Sequence, residues 1–220
     1  MAPQILSRSC LNWEESIKIF FILCIMNLDF SKNSFLSICL FLIALFLLSS
    51  FEEYIIHKYL MHNVNKIPFL ASYGEEHIKH HIATNKDFSI KDNKPENICF
   101  DFFTILPMYL LTVTILYITF HRIISLDIIL ISVVIIICIA IVVWNTLHCY
   151  VHHFDVNTVC TNTIYGIPKE YINPDNFYVK WSLDNHRAHH YFKHEEKGNW
   201  NIVFPGADYI MGTHHKMPAD

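Results

Sequence analysis

Three long runs of this chain contain no charged side chain, and they constrain its fold more than any other feature. They cover residues 34–51, 102–120 and 128–147. Each is close to the ~20 apolar residues that a helix needs to cross the hydrocarbon core of a bilayer. A weaker apolar run at 16–28 contains Lys18, so it either spans with a tilt or lies at the interface. The runs predict an all-α integral membrane protein with about four transmembrane helices.

The composition agrees with a membrane protein and excludes some functions. Of the 220 residues, 53% are hydrophobic and 15% are aromatic, and the net charge is −4. A chain without a basic excess gives no indication of nucleic-acid binding. We expect an N-terminal segment at 1–33 that holds the possible first helix, one membrane domain at 34–215, and a tail at 216–220.

The histidines are concentrated in four short boxes with the spacings HxxxxH, HxxHH, HxxxHH and HxxHH. Neutral imidazole is the commonest metal ligand, and residues three or four apart share a helix face. A structural zinc ion needs four ligands, which would leave most of the boxes unexplained. The spacing therefore indicates two metal ions that share ten of these rings. The boxes comprise His57 and His62; His77, His80 and His81; His148, His152 and His153; and His186, His189 and His190.

The boxes lie where the apolar runs end. If the first helix continues past its run, His57 and His62 stand one to three turns above the apolar region, at ~1.5 Å per residue. Their five-residue spacing aligns less well on a helix and favours two directions of ligation. The runs 102–120 and 128–147 are joined by a short turn at 121–127, so His148 returns to the side of His57 and His62. His121 lies in the turn itself, on the opposite side. Most lysines share the histidine side, which the positive-inside rule makes cytoplasmic. We therefore expect a cytosolic, histidine-rich helical cap.

Several carboxylates close to the boxes are candidate partners for the ligand rings. Two metal ions held only by neutral rings would leave positive charge beside an apolar region. Bridging hydroxide and nearby carboxylates would offset that charge. The candidates are Glu53, Glu75, Glu76, Asp155 and Asp184.

The order and spacing of the four boxes, with two apolar runs between the second and third, resemble those of the fatty acid hydroxylase and sterol desaturase superfamily. The segment 186–213 (HRAHHYFKHEEKGNWNIVFPGADYIMGT) is similar to the closing segment of that family. The resemblance covers roughly 35–215. The matching tail residues are Asn199, Trp200, Pro205, Asp208, Gly212 and Thr213.

The resemblance implies a membrane-bound di-iron lipid hydroxylase that uses dioxygen and two electrons, with no catalytic side chain beyond the metal ligands. Zinc is a possible substitute for iron, because imidazole suits both metals. The lipid substrate would come from the bilayer. The resemblance assigns no ligand role to His153, His194, His214 or His215. The implied ligands are His57, His62, His77, His80, His81, His148, His152, His186, His189 and His190.

The electron donor and the membrane are further expectations. No cytochrome b5-like domain precedes the first run, so electrons would come from a separate carrier, such as cytochrome b5 or ferredoxin with its reductase. The membrane would be the endoplasmic reticulum in a eukaryote or the inner membrane in a bacterium.

Other functions remain open at this point. A sterol or acyl desaturase, or a carotenoid hydroxylase, would keep the metal site and change the product. The gap from His152 to His186 is longer than in compact fatty acid 2-hydroxylases, which leaves the substrate open. Outside this superfamily, a membrane metal transporter or metal-binding protein and a zinc-dependent lipid hydrolase are alternatives. Transport sites normally lie near the bilayer midplane, whereas these boxes begin where the apolar runs end.

Overall fold

The computed structural model describes residues 34–62, 71–91, 99, 102–159, 166–192 and 198–218. Over these ranges the chain is mostly helical and forms no β-strand, as the sequence predicts. The helices are α1 (Phe35–Ile55), α2 (Ala71–Ala83), α3 (Phe102–Phe120), α4 (Leu126–Val151), α5 (Val156–Val159), α6 (Phe177–Tyr191) and α7 (Ala207–Ile210).

Three short features supplement these helices. A π-helical turn (Ile56–Met61) extends α1 without a break, and a 3-10 turn covers Lys169–Tyr171. An isolated antiparallel bridge joins Thr84 to Ile90. The bridge closes a small hairpin, which we call the 84–90 hairpin.

Two helical segments are long and apolar enough to cross a membrane. They are Phe35–Met61, with a mean hydropathy of 2.3, and Leu126–Val151, with a mean hydropathy of 3.4. Pro107–Phe120 of α3 is a shorter apolar helix. The two candidate spans coincide with the predicted runs at 34–51 and 128–147. The predicted run at 16–28 lies outside the described residues.

Helices α1, α3 and α4 pack around a shared apolar core. Phe41 of α1, Leu116 of α3 and Ile129 of α4 are buried in it. Phe41 also makes an edge-to-face contact with Phe120, with ring centroids 5.6 Å apart. On the outside, apolar side chains such as Phe35 are exposed (83%). An apolar exterior around an apolar core is the arrangement that a bilayer solvates.

Helix α4 separates the α3–α4 turn from the histidine boxes. At ~1.5 Å per residue, Leu126 and His148 lie roughly 33 Å apart along the axis. His121 is exposed in the turn at the far end. The structure therefore places His121 far from the box histidine His148, as the sequence predicts.

Candidate metal centre

The ten histidines that the sequence singles out converge into two clusters of five. Within each cluster, the potential ligand nitrogens all lie within 4.8 Å of one another. The first cluster comprises His57, His62, His77, His81 and His189. The second cluster comprises His80, His148, His152, His186 and His190. The equal division matches two metal ions with five rings each.

The π-helical turn at the end of α1 explains how His57 and His62 meet in one cluster. A π-helix is hydrogen-bonded from i to i+5, so residues five apart come close together. The two ring centroids are 5.4 Å apart. The two rings therefore lie in one cluster, although their spacing aligns them poorly on an α-helix.

Each HxxHH box contributes to both clusters. His77 and His81 of α2 belong to the first cluster and His80 to the second. In α6 the roles are reversed, because His186 and His190 belong to the second cluster and His189 to the first. Adjacent residues of a helix point ~100° apart, whereas residues i and i+4 are only ~40° apart and share a face. Helices α2 and α6 thus lie between the clusters and bridge them.

The spacing of the ring nitrogens fits metal coordination. The Nε2 atoms of His62, His77, His81 and His189 form a closed ring of contacts at 3.0, 3.1, 3.0 and 3.1 Å. Two ligands at right angles on an ion with bonds of ~2.1 Å would be ~3.0 Å apart. In the second cluster, Nε2 of His186 is 2.9 Å from Nε2 of His190. These distances are those of neighbouring positions around one ion.

Main-chain carbonyls fix the orientation of three of the rings. Nδ1 of His57 donates to the Trp200 carbonyl at 2.8 Å, and Nδ1 of His189 donates to the Gly198 carbonyl at 3.0 Å. In the second cluster, Nδ1 of His152 donates to the carbonyl of Phe88 at 2.6 Å. A proton on Nδ1 leaves the Nε2 lone pair free to bind a metal.

Burial keeps these rings neutral. Desolvation lowers the pKa of His152 to about 4. It lowers the pKa of five other rings well below the usual value, and neighbouring histidines add to the effect. These five are His77, His80, His81, His186 and His190. Converging lone pairs of neutral imidazoles form a donor set that a transition-metal cation fits.

A comparison with protein-family models identifies the chain. The fatty acid hydroxylase family model matches residues 42–213, which is more than half of the sequence. The chain belongs to the fatty acid hydroxylase family. This family is part of the sterol desaturase and fatty acid hydroxylase superfamily, whose members are generally oxidoreductases. No curated protein and no solved structure matches the chain.

In this member of the fatty acid hydroxylase family, the closing segment holds the first cluster in place. Asn199, which has a left-handed backbone (φ 57°), donates from its side chain to Asn185 of α6 at 2.6 Å. The side chain of Asn185 in turn donates to the Asn201 carbonyl. These contacts fix the segment that carries the Gly198 and Trp200 carbonyls. The similarity of the tail to the family pointed to Asn199 and Trp200, but no sequence signal pointed to a carbonyl as the contacting group.

Glu53 anchors the same segment to α1. Its carboxylate accepts hydrogen bonds from the backbone amides of Ile202, Val203 and Phe204 at 2.7, 2.8 and 2.9 Å. It also accepts one from the Asn201 side chain at 3.3 Å. Glu53 was predicted as a partner of the ligand rings, and it acts instead on the loop whose carbonyl orients His57.

The other predicted carboxylates lie mostly at the surface. Glu76 forms an ion pair with Lys79 at 2.7 Å. Asp184 lies 3.3 Å from Lys180 and 3.6 Å from Arg187. Glu75 of α2 is exposed. A role for Asp155 stays a prediction.

The 84–90 hairpin supports the second cluster, and no feature of the sequence predicts this role. Phe88 has a left-handed backbone (φ 68°), and this conformation turns its carbonyl toward His152. The preceding carbonyl, of Asp87, accepts a hydrogen bond from Nε2 of His153 at 3.0 Å. His153 is thus no member of either cluster, as expected, but it holds the hairpin beside one.

A cavity of about 330 Å³ lies between α1, α3 and α4 and reaches the first cluster at His57. Its wall is formed mainly by apolar side chains, among them Ile56, Val133, Ile137 and Trp144. His57 is the cluster histidine that lines it. The cavity can therefore hold a hydrocarbon chain against one of the two clusters.

Proposed function

We propose that the chain is a membrane-bound di-iron oxygenase that hydroxylates a C–H bond of a lipid. The division of ten histidines into two clusters, in a member of the fatty acid hydroxylase family, carries the proposal. The ten cluster histidines would hold two iron ions, with zinc as a possible substitute. When bound, the iron pair supplies the activation of dioxygen that an unreactive C–H bond requires.

The residues around the rings would orient the ligands and keep water away. The Trp200 carbonyl fixes the ring of His57, and the indole of Trp200 packs edge-on against it at a centroid distance of 5.6 Å. Trp144 packs against the same ring at 5.9 Å. Side chains that exclude water strengthen the electrostatic interactions inside a site.

The apolar cavity supports a lipid as the substrate. Ligand sites are typically concave, mainly apolar and furnished with a few polar groups. A hydrocarbon chain that enters between α1, α3 and α4 would reach His57 without crossing water. The chain would then present a C–H bond beside the first cluster.

The topology and the electron supply belong to the same proposal. About four helices would span the membrane, with the histidine clusters on the cytosolic side and electrons delivered by cytochrome b5 or ferredoxin with its reductase. The lysine distribution supports this orientation. Cys99, which lies on the histidine side, is disulfide-bonded. This disulfide favours the opposite orientation, because the cytosol is reducing. A tag fused after Asp220 and protease protection of intact microsomes or spheroplasts will decide the orientation.

The test of the function is lipid mass spectrometry. Cells that express the wild type or the His148→Ala variant are compared under oxygen, with added iron and a reductase system. We expect a lipid with one additional oxygen atom in the wild type alone. Loss of two hydrogens instead would identify a desaturase, and the absence of both products would contradict the oxygenase assignment. Metal uptake into vesicles without any product would indicate a transporter.

A further inference from the structure

One carboxylate in the cavity wall has no part in the proposed metal centre. Glu52 of α1 lines the cavity together with His57, among mostly apolar side chains. It lies within a segment that is apolar enough to cross a membrane. Ionisable side chains in such segments are rare and are generally functional. Glu52 is therefore a candidate for ligand recognition.

Glu52 differs from its neighbour Glu53 in how its oxygens are satisfied. Glu53 accepts hydrogen bonds from four donors. Within the described part of the chain, Glu52 has one hydrogen-bond partner, the Thr112 hydroxyl, which is 2.8 and 2.7 Å from its two oxygens. That hydroxyl also lies 2.9 Å from the Met108 carbonyl, and its single hydrogen serves one acceptor at a time. A carboxylate has about four accepting positions, so Glu52 keeps spare capacity toward the cavity.

We propose that Glu52 and Thr112 bind a hydroxyl group of the lipid that occupies this cavity and so determine substrate specificity. The inference rests on the proposed function, which makes the cavity the substrate site. A hydroxyl brings one donor to a wall that offers one accepting carboxylate. An ammonium group would bring three donors. The cavity offers few acceptors for them, because Glu53 already accepts from four donors and most other side chains of the wall are apolar.

The helix fixes the distance between this polar site and the first cluster. Glu52 precedes His57 by five residues, which corresponds to ~7.5 Å along the axis. A lipid held by its hydroxyl at Glu52 would present a carbon several bonds away to His57 and its bound metal. Holding a reactant in one position determines which bond reacts.

Binding in lipid nanodiscs tests the proposal without relying on turnover. The metal-loaded protein is equilibrated with radiolabelled cetyl alcohol, which is then displaced by unlabelled cetyl alcohol or by cetyl methyl ether. The ether has the same chain but no donor. We expect the wild type to prefer the alcohol by up to about tenfold, the effect of one hydrogen bond.

Variants assign this preference to the two residues. Glu52→Leu and Thr112→Val should both lower it, Glu52→Leu to below about twofold. Glu52→Gln keeps the size and one accepting oxygen and should keep part of the preference. Thr114→Val is the matched control, because Thr114 is exposed on the same helix and its hydroxyl donates to the Leu110 carbonyl. Unchanged binding of the ether shows that the cavity of each variant is intact.

Each outcome separates this inference from the proposed function. Equal affinity of the wild type for alcohol and ether, or an unchanged preference in Glu52→Leu, would overturn the hydroxyl site even if the wild type forms an oxygenated lipid. A preference that disappears in Glu52→Leu, in a protein that forms no oxygenated lipid, would retain the hydroxyl site and reject the oxygenase. Ether binding that falls in parallel with alcohol binding would assign Glu52 to the structure of the cavity and overturn the proposal.

Discussion

The two clusters contain the same number of histidines, but the protein supports them differently. In the first cluster, the carbonyls of Trp200 and Gly198 accept hydrogen bonds from two rings, and Glu53 anchors their segment to α1. In the second cluster, Phe88 of the 84–90 hairpin supplies one such carbonyl. There, the buried Nδ1 atoms of two rings have no hydrogen-bond partner within the described ranges. These rings are His186 and His190.

This difference has a consequence for metal affinity. A ring that binds a metal through Nε2 carries its proton on Nδ1. A buried N–H without an acceptor costs ~1–3 kcal/mol. Loss of an outer hydrogen-bond partner typically lowers metal affinity by ~10- to 100-fold. We therefore expect the first cluster to hold its ion more tightly than the second.

The largest expected effect comes from removing a ligand ring from either cluster. His62→Ala should remove the ion of the first cluster and His152→Ala that of the second. Bound metal in each variant should fall from about two ions per chain to about one. Activity should be lost in both, because the proposed reaction requires the pair. Metal analysis and turnover of purified, iron-reconstituted protein measure the two effects.

His121→Ala is the control for these variants, since His121 lies in the turn at the far end of α4. It should leave metal content and turnover unchanged. Full metal content and full activity in both cluster variants would show that the rings are not ligands. Loss of both ions in each single variant would show that the clusters form one cooperative site.

The sequence predicted which rings come together better than it predicted their arrangement. The positions of His57 and His148 at the ends of apolar runs required only helix geometry, and the structure brings all ten rings together. The division between clusters could not be predicted, because His80 and His81 are adjacent in sequence and their directions depend on how α2 lies between its neighbours. The π-helical turn could not be predicted either, since the spacing HxxxxH does not distinguish an α-helix from a π-helix.

The supporting contacts were less predictable than the clustering of the rings. Any residue can supply a carbonyl, so neither Gly198 nor Phe88 carries a sequence signal for its role. The left-handed conformation of Phe88 is unusual for a bulky residue and depends on the surrounding hairpin. Glu53 could be selected for its position near a box, but its partners in the closing segment are about 150 residues away.

A second prediction concerns metal removal. If the hydrogen bonds to the rings determine metal affinity, a chelator should remove the ion of the second cluster first. The chelator concentration needed should be ~10- to 100-fold lower than for the first cluster. Stepwise chelator titration followed by metal analysis should show two phases in the wild type. His152→Ala should keep only the resistant phase, and His62→Ala only the sensitive one. The reverse assignment would contradict the proposed difference between the clusters.

A third prediction tests the anchor of the first cluster. Glu53→Gln replaces an accepting oxygen by an amide that would face backbone N–H donors. The loop that carries the Trp200 carbonyl should shift, and affinity at the first cluster should fall by ~10-fold, the lower end of the range for such partners. Glu76→Gln is the matched control, because Glu76 pairs with Lys79 at the surface. Competition with a metal-sensitive dye measures the affinities; an unchanged first site in Glu53→Gln would reject the anchoring role.

The smallest expected effect tests the support of the second cluster. His153 donates to the Asp87 carbonyl, one residue before the Phe88 carbonyl that accepts from His152. An exposed hydrogen bond of this kind contributes ~0.5–1.5 kcal/mol, so His153→Ala should weaken metal binding at the second cluster by less than ~10-fold. The first cluster should not change, because its carbonyls belong to the closing segment. Chelator titration of this variant should therefore move the sensitive phase alone. Complete loss of one ion would instead make His153 a ligand, and a shift of the resistant phase would show that the two clusters share their support.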